Sequence, residues 1–141
     1  GDGKLGLIIA RTLWALGFNV EMIGRHQEKL DTLKPFKIKT YLEKLYPEKQ
    51  PDIPVVVEAT GSTSGLKAAI DLVAPEGKII YKTTTAKNHD LNLAGLAINE
   101  IKLLGSRCGP FEPALNLLAR NDLHLNKMIT EEFKLANSLE A

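Results

Sequence analysis

Hydrophobic side chains follow a helical spacing in the opening part of the chain and an alternating spacing just after it. From residue 5 to residue 16 they recur every three or four positions, which predicts an amphipathic helix. Gly17 occupies the place of a helix C-terminal glycine, and the alternation of residues 18–23 predicts a short strand. The apolar stripe of the predicted helix is formed by Leu5, Ile8, Ile9, Thr12, Leu13 and Leu16.

The rest of the chain continues this alternation of helices and strands. Helices are predicted at residues 27–33, where Pro35 ends the helix, and at residues 64–74 and 112–120. Strands that alternate with helices predict an α/β fold, namely a Rossmann-like doubly wound parallel sheet with helices on both sides. The predicted strands are residues 37–42, 53–60, 78–82 and 101–105, and the apolar face of the middle helix is Leu66, Ala69, Ile70 and Val73.

For some segments the sequence also predicts how buried they are or which local structure they form. The apolar run Val55 to Val57 is typical of a strand covered on both faces, and the lysines of residues 37–42 indicate a sheet edge. Residues 43–54 predict an exposed connection, residues 75–77 predict a turn, and residues 91–100 fit either a strand or a helix. The tail predicts a short strand around Met128 and Ile129 and then a helix from Ala136.

A glycine-rich turn stands directly before the first predicted helix. Gly1, Gly3 and Gly6 form a G-x-G-x-x-G run, with Lys4 and Leu5 between the last two glycines. The first glycine allows a sharp turn, the second lets the backbone approach a pyrophosphate, and the third lets helix and sheet pack closely. The pyrophosphate would lie on the free N–H groups of the helix start. These five residues are therefore predicted to bind a dinucleotide.

No strand precedes this turn in the sequence, although such a turn follows the first strand of a Rossmann sheet. In the strand order 3-2-1-4-5-6 that strand lies in the middle. Its loss would leave unpaired backbone groups on two neighbouring strands, at a cost of roughly 1 to 3 kcal/mol for each group. We hypothesise that the sequence is trimmed relative to the natural chain, or that another segment fills the gap.

The residues after the second strand bear on the choice of dinucleotide. NAD-binding turns have an acidic residue about 20 residues onward that binds the ribose hydroxyls, and Gly24 stands at that place. Arg25 and His26 follow, and a guanidinium can bind a 2′-phosphate bidentately. This favours NADP over NAD, with these three residues at the adenosine phosphate. The alternative is that Gly24 is a turn glycine, Arg25 a solvated surface residue and Glu21 the displaced acid.

Five segments occur in an order that points to one family. They are the opening glycine run, Val57-Glu58-Ala59-Thr60-Gly61, Pro75-Glu76-Gly77-Lys78-Ile79, residues 99–106, and a tail running from Ile129-Thr130 to Phe133-Lys134-Leu135. Together they resemble the cofactor domain of the medium-chain, zinc-type alcohol dehydrogenases. The resemblance implies one dinucleotide-binding domain over residues 1–141, with the tail 123–141 returning toward a catalytic domain that the sequence lacks. It also implies that the ribose and nicotinamide are lined by Thr60, Gly61, Lys82, Thr83, Thr84, Ser106, Arg107 and Cys108.

The family's zinc ligands, an upstream cysteine and a Gly-His-Glu motif, are absent from this sequence. We therefore expect neither a catalytic residue nor a metal site in it, and any zinc of the parent protein would lie in the absent domain. His26, His89 and His124 have no partner at metal-ligand spacing. The resemblance implies that Glu58 is structural, and we expect it to be hydrogen-bonded locally. Cys108 is the only cysteine, which fits a reducing compartment.

Length and composition fit one ordinary globular domain and exclude several classes of function. The chain has 141 residues, of which 44% are hydrophobic and 25% charged, and its formal net charge is +1. Because the lysines and arginines are scattered, nucleic-acid binding is not expected. No apolar run reaches the roughly 18 to 20 residues that a membrane span needs. No signal peptide pattern opens the chain, so a cytoplasmic location is expected.

The sequence predicts NADP(H) binding within a medium-chain oxidoreductase that transfers hydride between nicotinamide and an alcohol or carbonyl substrate. The chain alone is expected to bind the cofactor without turning over substrate, and homo-oligomers are expected from the resemblance. Two alternatives stay open. One is an S-adenosylmethionine-dependent methyltransferase, which also needs an acid after the second strand, so that Gly24-Arg25 counts against it. The other is a non-catalytic nucleotide-sensing module.

Overall fold

The computed structural model describes residues 1–47, 51–120 and 123–140. It consists of two compact units, Gly1–Gly109 and the part from Pro110 onward. The first unit contains α1 (Lys4–Ala15), β1 (Glu21–Gly24), α2 (Gln27–Asp31), β2 (Lys39–Leu42), β3 (Ile53–Glu58), α3 (Gly65–Leu72), β4 (Val73–Tyr81), α4 (Ala94–Ile98) and β5 (Lys102–Gly105). It also contains the 3₁₀ helices Lys34–Phe36 and Glu43–Leu45, and the second unit contains α5 (Phe111–Ala119) with the 3₁₀ helices Leu125–Met128 and Leu135–Glu140.

All strand pairs are parallel, and they form two sheets. β1 pairs with β2, and β3, β4 and β5 form a sheet in that order. Within the described residues, no strand pairs with the second edge of β1 or of β3. The doubly wound order places the first strand between these two edges. Two separate sheets are therefore the arrangement expected when that strand is not in the sequence, and the α/β fold is confirmed.

The core of the larger sheet is the helix face that the periodicity of residues 64–74 predicts. Leu66, Ala69, Val73, Ile79 and Ile101 form one buried cluster. Ile79 is completely buried, because α3 lies across β3 and β4. Leu66 and Ala69 confirm the predicted core face of α3, and Ile70 packs against the same cluster. Val73, predicted as part of that helix face, is instead the first residue of β4.

A second group of buried side chains lies under α1 and α2. Leu30, Leu33 and Phe36 are buried. The Arg11 guanidinium lies 4.9 Å from the centre of the Phe36 ring, and the Trp14 ring meets Phe36 edge-on at 5.1 Å between ring centres. Burial lowers the pKa of Arg11, and one of its N–H groups donates to the Thr32 carbonyl.

The helix α1 and its C-terminal glycine are confirmed, but the buried residues of α1 are not those of the apolar stripe. The buried residues of α1 are Gly6, Leu7, Ala10 and Arg11. Leu5 and Leu16 are 49% and 58% exposed. A Cβ on Gly6 would lie 3.3 Å from the end of the Met22 side chain, so the small residues allow the helix to approach β1 closely. The buried face of α1 is therefore the one whose small residues let the helix lie close to β1, and not the one with the most large apolar side chains.

Several predicted boundaries are also wrong. β1 begins at Glu21, which leaves Phe18 60% exposed outside it. α2 ends at Asp31, and Pro35 lies inside a 3₁₀ helix because its fixed φ fits a tight turn. β4 runs through residues 75–77, where Glu76 takes a φ of +61° and its N–H donates to the Asn99 carbonyl.

The cover over β3 and the structure of the tail differ from expectation too. Val55 is 51% exposed, so β3 is not covered on both faces at this position, contrary to the prediction. Within residues 91–100, Ala94–Ile98 form the short helix α4, so the helix of the two predicted alternatives is the one observed. In the tail, the 3₁₀ helix Leu125–Met128 lies where a strand was predicted around Met128 and Ile129. The helix predicted from Ala136 is present as the 3₁₀ helix Leu135–Glu140, which a non-helical Asn137 interrupts. The side chains of the tail are almost all exposed, so tertiary packing does not stabilise longer helices or strands there.

None of the helices in the described residues is both long and apolar enough to cross a membrane.

Replacing Ile79 with alanine should destabilise the first unit by about 2 to 5 kcal/mol, because it leaves a cavity in a fully buried cluster. The control is Leu104→Ala on the neighbouring strand β5, where the side chain is 46% exposed; we expect a loss below about 1 kcal/mol there. Urea unfolding followed by circular dichroism measures both. Equal losses for the two variants would contradict the assignment of Ile79 to the core.

Candidate functional site

The glycine turn is a tight backbone crossing at the carboxyl end of β3. A Cβ added to Gly1 would lie 2.6 Å from the Thr60 Cα and 2.7 Å from the Ala59 carbonyl oxygen. A Cβ on Gly6 would collide with the Gly1 carbonyl oxygen. These positions therefore exclude any side chain, as the sequence predicts for the first and third glycines.

Gly3 differs from its two neighbours in the motif. It is exposed and a Cβ there would meet nothing within 4 Å. It is also the N-cap of α1, and no side chain caps the helix. The first backbone N–H groups of this twelve-residue helix therefore have no side-chain cap, and the space beside Gly3 is open. Lys4 and Leu5, the first two residues of α1, are exposed beside them.

Asp2 forms the contact that sequence reasoning missed. Its side chain is only 9% exposed, and its Oδ2 accepts hydrogen bonds of 2.7 Å from the backbone N–H groups of Arg25 and His26. The His26 ring lies 3.0 Å away through Nδ1. Burial raises the pKa of Asp2, but the hydrogen bonds from the His26 and Arg25 backbone and the His26 ring outweigh it and lower the pKa overall. An ionised carboxylate therefore holds the loop after β1.

The Arg25 guanidinium is bound to a carboxylate of the chain itself. Its Nε donates to Glu43 Oε2 at 2.6 Å, and Nη2 lies 3.5 Å from Glu43 Oε1. The hydrogen bond raises the pKa of Arg25 and lowers that of Glu43. Both side chains are about half exposed, so the pair lies at the surface beside the buried Asp2.

The loops after β3, β4 and β5 are joined by hydrogen bonds. The Gly61 N–H donates to Thr83 Oγ1 at 3.0 Å, and Gly61 takes a φ of +69° that favours glycine. Lys82 Nζ donates to the Arg107 carbonyl at 2.9 Å and to Ser106 Oγ at 3.4 Å. The structure thus brings together these residues and Thr60, which were predicted from three separate parts of the sequence. Thr84 and Cys108 lie exposed on the same loops.

Glu58 is buried at the end of β3 and is hydrogen-bonded locally. Its Oε1 accepts the Thr60 N–H at 2.7 Å, while the buried Oε2 has no hydrogen-bond partner among the described residues.

His89 contacts the Tyr81 hydroxyl at 2.9 Å and the Thr63 carbonyl at 3.0 Å. The part of the chain that the structure describes holds no group of three or more His, Cys, Asp or Glu side chains arranged for a metal.

Solved structures with the same fold include dehydrogenases. A short chain alcohol dehydrogenase from Escherichia coli CFT073 complexed with NADH superposes with a TM-score of 0.85 at 22% identity, over 99% of this chain and 45% of that chain. 2R,3R-Butanediol dehydrogenase from Bacillus subtilis gives 0.85 at 18% identity, over 99% and 44%. A putative zinc-binding dehydrogenase from Sinorhizobium meliloti 1021 bound to NADP gives 0.78 at 18% identity, over 92% and 43%.

These similarities define the class of fold. The chain has the Rossmann-like fold of dehydrogenase cofactor-binding domains, and it spans less than half the length of the matched structures. No protein-family model matches the sequence. The comparison with curated proteins gives no match either.

Two glycine variants should separate packing from binding. Gly6→Ala places a Cβ against the Gly1 carbonyl, so we expect a loss of about 1 to 3 kcal/mol in unfolding free energy. Gly3→Ala has open space and should retain its unfolding free energy within about 1 kcal/mol, while losing about tenfold or more in dinucleotide affinity, since the methyl group hinders approach of the pyrophosphate. Urea unfolding and calorimetric titration measure the two effects. Unchanged affinity in Gly3→Ala would contradict the assignment of this turn.

The stability supplied by Asp2 should depend on pH. Because its folded-state pKa lies below the usual value of 3.8, its contribution is fully present above that value and is lost as the pH falls through the lower folded pKa. Asp2→Asn should therefore cost about 1 to 3 kcal/mol near pH 7, and this cost should shrink as the pH approaches 3. Asp71→Asn, an exposed carboxylate beside Lys67, is the matched control. Urea unfolding over this pH range tests the trend, and a constant difference would contradict it.

Proposed function

We propose that this chain is the nicotinamide dinucleotide-binding part of an oxidoreductase of the medium-chain alcohol dehydrogenase type. The observation that carries the proposal is the glycine turn, where Gly1 and Gly6 are locked by close contacts while Gly3 faces open space at the start of α1. This is the combination that a bound pyrophosphate requires.

Each part of the site would have its own task. The pyrophosphate would lie on the N–H groups around Gly3 and Lys4, and the adenosine would lie toward the loop after β1. The loops that contain Gly61, Thr83 and Ser106 would border the ribose and nicotinamide, because ligands of such sheets lie beyond the carboxyl ends of the strands. When bound, the nicotinamide exchanges hydride with the substrate. The chain's residues would position it for that exchange.

The finer predictions belong to this proposal as well. NADP, as the sequence favours, would require Arg25 to exchange Glu43 for a 2′-phosphate, and the half-exposed guanidinium is accessible for that exchange. Residues 1–141 would form one domain of a longer, cytoplasmic, homo-oligomeric enzyme. Zinc, if present, would lie in another domain, and this chain alone would bind the cofactor without turnover. The lengths of the matched structures, more than twice that of this chain, support this division.

The structure weakens the sequence argument against the methyltransferase alternative. It was disfavoured because Gly24 leaves no acid after the second strand, but the carboxylate of Asp2 lies there. The dehydrogenase neighbours still support a nicotinamide cofactor. A comparison of nicotinamide dinucleotides with S-adenosylmethionine therefore separates the two functions. The same titration shows which nucleotide a non-catalytic sensing module would bind.

Titration with NADH, NADPH and S-adenosylmethionine tests the proposal. We expect saturable binding of at least one nicotinamide dinucleotide in the micromolar range, measured by calorimetry or by nicotinamide fluorescence, and affinity at least about tenfold weaker for S-adenosylmethionine. Gly3→Ala serves as the folded control with reduced binding. Tighter binding of S-adenosylmethionine than of either dinucleotide would establish the rival function. Turnover of an alcohol by this chain alone would contradict its role as a binding part only.

A further inference from the structure

The carboxylate of Asp2 occupies the place that a side chain on Gly24 would fill. A Cβ built on Gly24 would lie 2.7 Å from both Asp2 Cβ and Asp2 Oδ2. Position 24 is the last residue of β1, where NAD-binding Rossmann domains carry the acid that binds the ribose hydroxyls. Gly24 therefore does not leave this corner without a carboxylate, because another part of the chain supplies one.

Asp2 is held in a fixed orientation at this corner. The two backbone N–H groups and the His26 ring all bind its Oδ2, and Oδ1 accepts none of these three hydrogen bonds. An oxygen of an ionised carboxylate is an acceptor suited to a hydroxyl donor. A 2′-phosphate brings acceptor oxygens and negative charge of its own, so it offers nothing that this oxygen can bind.

The donors that a 2′-phosphate would need are already bound within the protein. The N–H groups of Arg25 and His26 point at Asp2, and the Arg25 guanidinium is bound to Glu43. This corner thus has two carboxylates for one guanidinium. A 2′-phosphate would have to displace Glu43 from Arg25. It would also lie beside the Asp2 carboxylate, which would repel it because both groups are negative.

We propose that Asp2 is the residue that determines dinucleotide specificity, that it binds the adenosine ribose hydroxyls, and that it makes the site prefer NAD(H) to NADP(H). This inference rests on the proposed function and deepens it. It opposes the preference for NADP that Arg25 suggests from sequence, because Arg25 is engaged by Glu43 and the missing acid is present at Asp2.

Two pairs of ligands test the proposal on the full chain. NADH and NADPH compare the complete cofactors, and adenosine 5′-monophosphate and adenosine 2′,5′-bisphosphate compare the adenosine corner alone. The variants are Asp2→Asn, which keeps the shape and removes the charge, and Glu43→Gln, which releases Arg25. Asp71→Asn on α3 is the control, since it removes the same charge from an exposed carboxylate bound to Lys67. Thermal unfolding checks that each variant is folded.

We expect the unaltered chain to bind NADH at least about tenfold more tightly than NADPH, and the monophosphate more tightly than the bisphosphate. Asp2→Asn should weaken NADH and strengthen NADPH, which shifts their affinity ratio by about tenfold or more. Glu43→Gln should shift the ratio in the same direction through NADPH alone. Asp71→Asn should leave it within about twofold.

Three results would overturn the inference while leaving the proposed function intact. They are an unaltered chain that prefers NADPH, an Asp2→Asn variant that weakens both cofactors equally, as a purely structural role predicts, and a Glu43→Gln variant with an unchanged ratio. If Asp2→Asn does not fold, the inference is still tested by two measurements. These are the ratio of NADH to NADPH affinity in the unaltered chain and the same ratio in Glu43→Gln. Binding of neither dinucleotide would overturn the proposed function and this inference with it.

Discussion

The close approach of backbone to backbone at the glycine turn is the constraint on which the site depends. Gly1 lies against the end of β3 and Gly6 lies against Gly1, at separations that leave no room for a Cβ. This contact sets the start of α1 beside the carboxyl end of the larger sheet. The free N–H groups of α1 therefore point to the edge where the strand-end loops meet, and this is the edge where parallel sheets bind their ligands.

Residues 1 and 2 also connect the two sheets, which share no strand. Gly1 contacts Ala59 and Thr60 after β3, and Asp2 accepts the N–H groups after β1. One short turn thus determines the distance between the start of α1 and both sides of the site. A buried carboxylate that accepts backbone N–H groups is well suited to this, because it satisfies donors that the loop would otherwise leave unpaired.

The two sides of the site differ in their chemistry. The side formed by the loops after β3, β4 and β5 is rich in hydroxyl groups, and its loops are joined by Thr83 and Lys82. The side after β1 is charged, with Asp2, Arg25 and Glu43 in mutual contact or proximity. A ligand in this site would therefore meet charged groups on the side after β1 and hydroxyl groups on the side of the other three loops.

The sequence by itself determined those features that are recorded in local spacing: the glycine turn, the α/β alternation, the parallel order and the apolar face of α3. It did not determine the buried face of α1, the continuation of β4 through residues 75–77, or the 3₁₀ helix that ends at Met128. Periodicity reports which side chains are apolar, but only packing decides how closely a helix approaches a sheet. Asp2 is the clearest case, because it meets Arg25 across 23 positions of sequence, and only the tertiary structure brings an acid from the glycine turn to the place where the sequence showed a glycine.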